Sequence, residues 1–248
     1  MNIAVVIPLL FVLGAVAGFI NVMAGGGSSI TLPMLIFLGL DSALANGTNR
    51  LAIFSQNLSA VISFKQEKFS DFKTSLRLTL LTLPGAIIGT IVAIRIDDML
   101  FQKILGVVLI GVMVTILLPN AKKGVATARS KESWIIYPVM FAIGFYGGFI
   151  QVGVGFMLMA SLSHILRMDL VRVNMHKVFI VFLYTMPTLI MFAVTGNINW
   201  LLGLSLAAGN AFGAWWSAKI SISGGEKVIR VVLVISMFVM SIKLLKVF

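Results

Sequence analysis

The sequence predicts an all-α integral membrane protein, and three observations predict that class. Hydrophobic residues make up 59% of the 248 residues and charged residues only 11%, whereas a soluble domain carries about 25% charged residues. The mean hydropathy is +1.07, a value typical of helices surrounded by lipid. The third observation is an internal repeat, which predicts how the helices are arranged.

Long apolar runs predict the membrane-spanning helices, since a helix needs about 20 apolar residues to cross the hydrocarbon core. Two shorter runs, 30–39 and 156–166, follow Gly-rich breaks and are too short to cross alone. The first run is expected to be a span and not a cleaved signal peptide, because no Lys or Arg precedes it. We therefore expect about eight full transmembrane helices and two half helices. The long runs lie at about 3–20, 43–64, 74–96, 100–118, 134–150, 178–195, 200–220 and 228–247.

The internal repeat appears when the chain is shifted by 128 residues, which aligns its two halves without gaps. Gly25 falls on Gly153, Gly27 on Gly155, and Asn46 on Asn174. Each half runs in the same order: a long helix, a Gly-rich break, a half helix and three long helices. The sequence thus predicts two transmembrane repeats of five segments each, 1–120 and 134–248, joined by a basic cytoplasmic linker at 121–133.

The distribution of Lys and Arg predicts that the two repeats have inverted topology. The connection at 65–77 carries Lys65, Lys68, Lys73 and Arg77, whereas its counterpart at 193–205 carries no charge. Conversely, the bend at 166–178 is more basic than its counterpart at 39–50. Basic loops remain on the cytoplasmic side of a membrane. We therefore expect both termini outside and a multi-pass location in the inner cell membrane.

The two Gly-rich breaks, 21–29 and 147–155, are the first candidate binding region. Inverted repeats place their substrate near the bilayer midplane, at interrupted helices. Glycine lets a ligand approach bare backbone amides, and the positive end of a half-helix dipole suits an anion. The alternative is that these glycines only allow close helix packing. The candidate residues are Asn21, Gly25, Gly26, Gly27, Ser28, Ser29, Gln151, Gly153 and Gly155.

Polar motifs that precede a long helix in each half are the second candidate region. They contribute Thr48, Asn49 and Arg50 from one half, and Asn174, His176 and Lys177 from the other. A cation embedded in a membrane is costly and indicates function, unless its side chain reaches out to the interface. We favour function for Arg50, which stands nearly alone on the outer side, and leave Lys177 open between the two.

Other polar residues have two readings. His176 could titrate near neutral pH, although a lone His is more often an ordinary hydrogen-bonded residue. Gln56, Asn57 and Tyr184 lie inside long helices and either line the path or bond neighbouring helices. We count Gln56 among the candidates. Asp41 and Asp169 each precede a helix and are expected to cap it.

The sequence also disfavours several classes of function. All eight acidic residues lie at segment ends or in loops, which argues against a cation transporter and against a carboxylate proton relay. Cysteine is absent, which excludes disulfides and cysteine metal ligands. No metal and no cofactor are expected. The basic residues occupy short connections, so nucleic acid is not an expected partner. The expected partners are a small anion and the lipid bilayer; the oligomeric state stays open, with a homodimer as one option.

Three stretches resemble the sulfite exporter TauE/SafE family: 18–33 (GFINVMAGGGSSITLP), 45–58 (ANGTNRLAIFSQNL) and the paired segment 144–177. The resemblance covers both halves and implies a permease for sulfite, a sulfonate or a related organosulfur anion. It usually implies export, and an anion leaving a cell with a negative interior moves down the electrical gradient. The chain departs from the family pattern at Ser161, where a Pro is common, and at residues 175–177.

Two other classes of function were weighed against an anion exporter. A membrane-embedded enzyme would need a nucleophile and base or a metal cluster inside the bundle, and no such motif is evident, so no enzymatic activity is expected. A non-transporting assembly factor would have little use for a duplicated core with broken helices.

Overall fold

The computed structural model describes residues 3–69, 71–117 and 134–245, and the regular structure in these ranges is α-helical. The linker expected at 121–133 lies outside the described residues. The described residues form α1 (Ile3–Met23), α2 (Ser28–Phe37), α3 (Ser42–Gln66), α4 (Phe72–Arg95), α5 (Asp98–Leu117), α6 (Ile136–Phe149), α7 (Val154–Ile165), α8 (Leu170–Val194) and α9 (Trp200–Leu245).

Among the described helices, α1, α4 and α8 are both long and apolar enough to cross a membrane. Large apolar side chains such as Val12 and Leu80 are more than half exposed on the outside of the bundle, as lipid contact requires. Helices α2 and α7 have 10 and 12 residues and are the half-length helices that the sequence predicts after the breaks. The count of eight full transmembrane helices stays a prediction.

The polar motifs that were expected before helices lie inside them, which corrects the sequence analysis. Helix α8 begins at Leu170 and not near 178, and α3 already includes Asn46 and Arg50. The first turns of both helices are packed inside the bundle, so their polar side chains do not mark a loop. Lys177 is therefore a buried helical residue and not part of a basic loop.

The expected helix caps are only partly as predicted. Asp169 accepts hydrogen bonds from the amides of Val171 and Arg172 at the start of α8, whereas Asp41 makes no side-chain cap. The two spans expected near the C-terminus lie within α9 on either side of Gly225, where the backbone departs from helical geometry (φ 60°, ψ −162°). A left-handed φ of this kind is adopted readily only by glycine.

Small residues bring α1 and the first part of α9 close together in the same direction. The Ser205 hydroxyl donates to the carbonyl of Ile7 at 2.7 Å, and the Ser217 hydroxyl donates to that of Phe19 at 2.8 Å. Between these bonds, Gly213 lies so near α1 that an added Cβ would overlap the carbonyl oxygen of Ala15. Such seams of small residues drive helix association in lipid.

Helices α4 and α6 form the corresponding seam in the other part of the bundle. A Cβ added to Gly85 or Gly89 would overlap the carbonyl oxygens of Phe141 and Phe145, respectively. The numbers rise together along both helices, so α4 and α6 also run in the same direction.

Helices α3 and α8 cross in opposite directions at the centre. Gly47 lies beside Phe192 at one end, the rings of Phe54 and Phe182 are 5.2 Å apart in the middle, and Phe64 shares a core cluster with Met175 at the other end. The two helices span 42–66 and 170–194, bounds that differ by 128 at both ends. Helices in equivalent places of the two halves thus run antiparallel where they meet.

At the breaks, matching backbone features of the two halves lie 126 residues apart and not 128. The amide of Gly25 bonds to the carbonyl of Ile20, and the amide of Gln151 bonds to that of Tyr146 in the same way. Gly25 therefore corresponds to Gln151, and both have positive φ values of 92° and 70°. Helix α7 is two residues longer than α2, which restores the shift of 128 before α8.

Candidate functional site

The two breaks face each other in the middle of the bundle. A Cβ on Gly25 would overlap the backbone of Gly155, and a Cβ on Gly155 would overlap that of Gly25. The Ser28 hydroxyl, at the start of α2, donates to the carbonyl of Gln151 at 3.3 Å. Both half helices therefore begin next to one another, with only backbone between them at the closest point.

Arg50 is fully buried where α3 passes the end of α6. Its Nη1 donates to Oε1 of Gln151 at 2.9 Å, and its Nη2 donates to the carbonyl of Gly148 at 2.5 Å. The guanidinium carbon lies 5.6 Å from the ring centre of Phe192. The carbonyl end of a helix and an aromatic face both stabilise a cation. The Nε atom has no hydrogen-bond partner in the described part of the chain.

Lys177 is 3% exposed and lies where α8 passes the end of α1. Its Nζ donates to the carbonyls of Val22 at 2.6 Å and Asn21 at 3.2 Å, and to Oδ1 of Asn174 at 2.9 Å. The helix dipole therefore stabilises this cation in the same way as Arg50.

The two cations hold equivalent positions at the ends of opposite broken helices. Arg50 binds the second-last residue of α6, and Lys177 binds the second-last residue of α1. The last residues are bound by two asparagines: Asn46 donates to the carbonyl of Phe149 at 2.7 Å, and Asn174 to that of Met23 at 3.5 Å. Among the described residues, no carboxylate forms an ion pair with either cation.

A small polar cavity lies between the breaks. It offers about 10 Å³ to the centre of a water-sized sphere, which is room for about one water molecule. Oε1 of Gln56 accepts from Nδ2 of Asn21 at 3.2 Å and from Nδ2 of Asn210 at 3.4 Å, so the cavity wall is itself hydrogen-bonded. The lining residues are Asn21, Ser28, Gln56, Asn57, Gln151, Gly155, Lys177 and Val181.

The structure brings most candidate residues together and directs others away. Arg50 reaches the cavity through Gln151, and Asn174 through Lys177. Gly25, Gly26, Gly27 and Gly153 form the breaks themselves. Three polar candidates make hydrogen bonds to residues that do not line the cavity: Ser29 Oγ donates to the carbonyl of Gly26, Thr48 Oγ1 accepts from the amide of Asn199, and Asn49 Oδ1 accepts from Thr31.

His176 faces away from the cavity and into a separate pocket of about 280 Å³. Its Nδ1 lies 2.7 Å from Oγ of Ser75 on α4. The pKa of Asp71, which lines the same pocket, is lowered chiefly because its carboxylate accepts a hydrogen bond from the amide of Thr74. The pocket is lined by Lys68, Phe69, Asp71, Arg172, Met175 and His176. The connection after α3 and the start of α8 therefore lie together on one face of the bundle.

Several polar residues at the site were not among the sequence candidates. Tyr184 donates to Oε1 of Gln151 at 3.0 Å, and Asn57 lines the cavity; from the sequence, both residues could equally line the path or bond neighbouring helices. Asn210 bonds Gln56, and Ser221 bonds Asn174 at 3.3 Å. Asn210 is the one amide side chain in the predicted span 200–220, a signal that could have drawn attention to it.

A polytopic helical bundle with apolar surroundings and a buried polar site at two helix breaks defines a membrane transporter. Comparison with known proteins agrees with this class. The model of the family described as "Sulfite exporter TauE/SafE" matches residues 10–244. The chain belongs to that family, and the resemblance predicted from its motifs is confirmed. The family consists of transporters, and membership in it is consistent with the expectation of no enzymatic activity.

The similar curated proteins are named only as transporters. A "Probable membrane transporter protein" of Haemophilus influenzae is 28% identical over 240 residues, covering 96% of this chain and 94% of the relative. "Probable membrane transporter protein ORF9" of Sinorhizobium sp is 27% identical, covering 96% and 92%. "Probable membrane transporter protein YfcA" of Escherichia coli is 28% identical, covering 96% and 88%. No solved structure matches the chain at a significant level.

Proposed function

We propose that the protein exports a small sulfur oxyanion, such as sulfite or a sulfonate, through the cavity between the two breaks. The observation that carries this proposal is the pair of buried cations, Arg50 and Lys177, which converge from different halves without a carboxylate partner in the described residues. Burying an unpaired ion costs several kcal/mol. Two such residues inside a membrane protein favour the binding of an anion.

We propose that the halves 1–120 and 134–248 are inverted repeats joined by the linker 121–133. The antiparallel crossing of α3 and α8 supports this arrangement, because helices in the same place of parallel repeats would point the same way. The reciprocal bonds at the ends of α1 and α6 also support it. In inverted repeats, rocking of one half against the other exposes a central site to each side in turn.

The basic connections support an orientation with both termini outside. The pocket that Lys68 shares with Arg172 places the connection after α3 and the start of α8 on one face. This face carries the basic residues, so we assign it to the cytoplasm. Arg50 and Lys177 lie inside helices and therefore do not count as residues of the connections. One belongs to the outer side and the other to the cytoplasmic side, so the cytoplasmic face keeps its excess of Lys and Arg.

The cavity must widen before it can hold the substrate. It has room for about one water molecule, whereas sulfite has four non-hydrogen atoms. Opening towards either side would have to break the bonds by which Arg50 and Lys177 tie α3 and α8 to the broken helices. Binding of an anion to these cations would replace the bonds that opening breaks, which couples substrate binding to the movement.

The test is efflux of radiolabelled sulfite from proteoliposomes that contain the purified full chain. We expect Arg50→Ala to lower efflux at least about tenfold, because the mutation removes a charged donor, worth about 1.5–3 kcal/mol. Arg95→Ala is the matched control: Arg95 is exposed at the end of α4, and its loss should leave efflux unchanged. Thermal melting of both variants checks that they fold.

A panel of sulfite and simple sulfonates in the same vesicles tests the substrate class. If the wild-type chain moves none of these anions, the proposed function is wrong. If the Arg50→Ala variant moves sulfite at the wild-type rate, Arg50 has no place in the site.

A further inference from the structure

Oε1 of Gln151 lies where two hydrogen-bond donors converge. Arg50 Nη1 donates to it at 2.9 Å and the Tyr184 hydroxyl donates to it at 3.0 Å. Gln151 is 4% exposed, and its side chain lines the cavity between the breaks. A guanidinium and a phenol hydroxyl thus share one neutral amide oxygen, although an ionised oxygen is a stronger acceptor for both donors.

The backbone of Gln151 is held in a conformation that costs free energy. Its φ of 70° lies in the left-handed region, which a residue with a side chain rarely adopts. The equivalent residue of the first half is Gly25, which adopts a φ of 92° without steric penalty. The carbonyl of Gln151 accepts from Ser28 Oγ at 3.3 Å and from the amide of Val154 at 3.3 Å, and these bonds fix the conformation. Strain of this kind is found at functional sites.

We infer that the side-chain oxygen of Gln151 is an internal substitute for a substrate oxygen, and that Arg50 and Tyr184 bind the oxyanion once Gln151 turns away. This inference rests on the proposed function. It makes Tyr184 a substrate-binding residue, and it identifies the bound group as an oxyanion with an oxygen that accepts two hydrogen bonds. Sulfite and sulfonate oxygens both have this capacity.

The exchange has a physical reason in the transport cycle. A carrier that has released its anion must return with its binding cation still buried. Leaving Nη1 of that cation without an acceptor would incur a desolvation penalty at a charged group, since only Nη2 is bound to the carbonyl of Gly148. Gln151 supplies the acceptor for Nη1 in the empty protein, and a charged oxyanion is strong enough to replace it.

The decisive variant is Gln151→Glu, which places a carboxylate of nearly the same shape next to Arg50 and Tyr184. We expect this tethered anion to raise the melting temperature of the purified full chain without substrate. We also expect it to abolish both the stabilisation by added sulfite and sulfite efflux from proteoliposomes. Gln66→Glu is the control: Gln66 is exposed at the end of α3, and the same added charge there should change neither measurement.

Two further variants distinguish a residue that replaces the substrate in the empty protein from a residue that binds the substrate directly. They also ensure that the test does not depend on a single mutation. In Gln151→Ala the competitor is removed, so the half-saturating sulfite concentration should stay the same or fall. In Tyr184→Phe one donor is lost, so that concentration should rise about tenfold. Gln151→Ala should melt below the wild type without substrate, because Arg50 and Tyr184 lose an acceptor, and added sulfite should restore part of that loss; saturable sulfite efflux shows that both variants fold.

The outcomes distinguish this inference from the proposed function. If the wild-type chain transports sulfite but Gln151→Glu transports it with an unchanged half-saturating concentration, Gln151 is not a substitute for substrate. An increase for Gln151→Ala as large as that for Tyr184→Phe would also overturn the inference, because Gln151 would then be a ligand. Failure of wild-type transport refutes the function itself.

Discussion

Replacing Gly144 by alanine tests whether the seam between α4 and α6 sets the geometry of the site. A Cβ on Gly144 would lie 2.8 Å from the carbonyl carbon of Thr82 and 2.9 Å from its Cα. A relaxed contact between carbon atoms is about 3.5–4.0 Å. The helices must therefore separate by roughly 1 Å, because the overlapping atoms belong to the backbone and cannot rotate away.

The expected loss of stability follows from this overlap. Overpacking of a close interface costs about 1–3 kcal/mol, and alanine recovers up to about 1 kcal/mol through its higher helix propensity. The net loss is about 0–2 kcal/mol against the wild type and about 1–3 kcal/mol against a glycine-to-alanine control that gains the same propensity. The second difference corresponds to a melting temperature roughly 2–12 °C lower for a chain of this size.

The same displacement should reach the binding site. Helix α6 ends at the break, where Gly148 and Gln151 accept hydrogen bonds from Arg50 at 2.5 and 2.9 Å. A shift of about 1 Å would stretch these bonds beyond the usual range of 2.7–3.2 Å. We therefore expect sulfite efflux to fall by about tenfold or more.

Gly106→Ala is the matched control, because no atom lies within 4 Å of a Cβ added to this glycine of α5. Both variants are purified, melted in the same detergent, and reconstituted for the efflux assay. Gly106→Ala should melt at or slightly above the wild-type temperature and transport normally. The reasoning is refuted if Gly144→Ala melts together with Gly106→Ala, or if it is destabilised while efflux is unchanged.

Two further predictions concern the arrangement of the halves. The chain has no Cys, so Glu67→Cys and Thr195→Cys each provide a single labelling site on an exposed connection. We expect a thiol reagent that cannot cross the membrane, added to intact cells, to label only Thr195→Cys. Labelling of both from one side would contradict the inverted repeats. Asn46→Ala and Asn174→Ala each remove a donor between the halves, and we expect a loss of about 1–3 kcal/mol for Asn46→Ala. The loss for Asn174→Ala should be larger, although its own bond to Met23 is 3.5 Å long, because Asn174 also accepts a hydrogen bond from Nζ of Lys177 at 2.9 Å and its removal leaves that buried cation short of an acceptor; wild-type melting temperatures for both variants would count against these bonds as ties.

The sequence predicted the helical class, the breaks and the half helices, because each depends on local features. Apolar run length and glycine clusters act within a few residues, and α2 and α7 follow them directly. The start of α8 could not be predicted in this way. Asn174 and Lys177 are polar but face the broken helix of the other half, so only the three-dimensional packing explains why a polar run there is helical and buried.

The role of Gln151 could not be read from the sequence for a different reason. A shift of 128 pairs Gly25 with Gly153 and leaves Gln151 beside an unremarkable partner. The backbone hydrogen bonds instead pair Gln151 with Gly25. Only this pairing shows that a glutamine stands where the other half has a left-handed glycine, and its bond to Tyr184 joins residues 33 positions apart.

On the proposed function, the placement of the cations would let the site select the sign of the transported charge. The sequence predicted that half-helix amides and Arg50 would attract an anion and left Lys177 open; the structure places both cations, buried, at the carbonyl ends of α6 and α1. The carbonyls stabilise these cations, but they carry only about half a charge per helix end, so the cavity stays positive. A cation about 4 Å from Lys177 would be repelled by about 4 kcal/mol at an effective dielectric constant near 20, roughly a thousandfold penalty. An anion gains a similar amount, so charge selection requires no closed gate, and the discrimination among anions is left to the donors around Gln151.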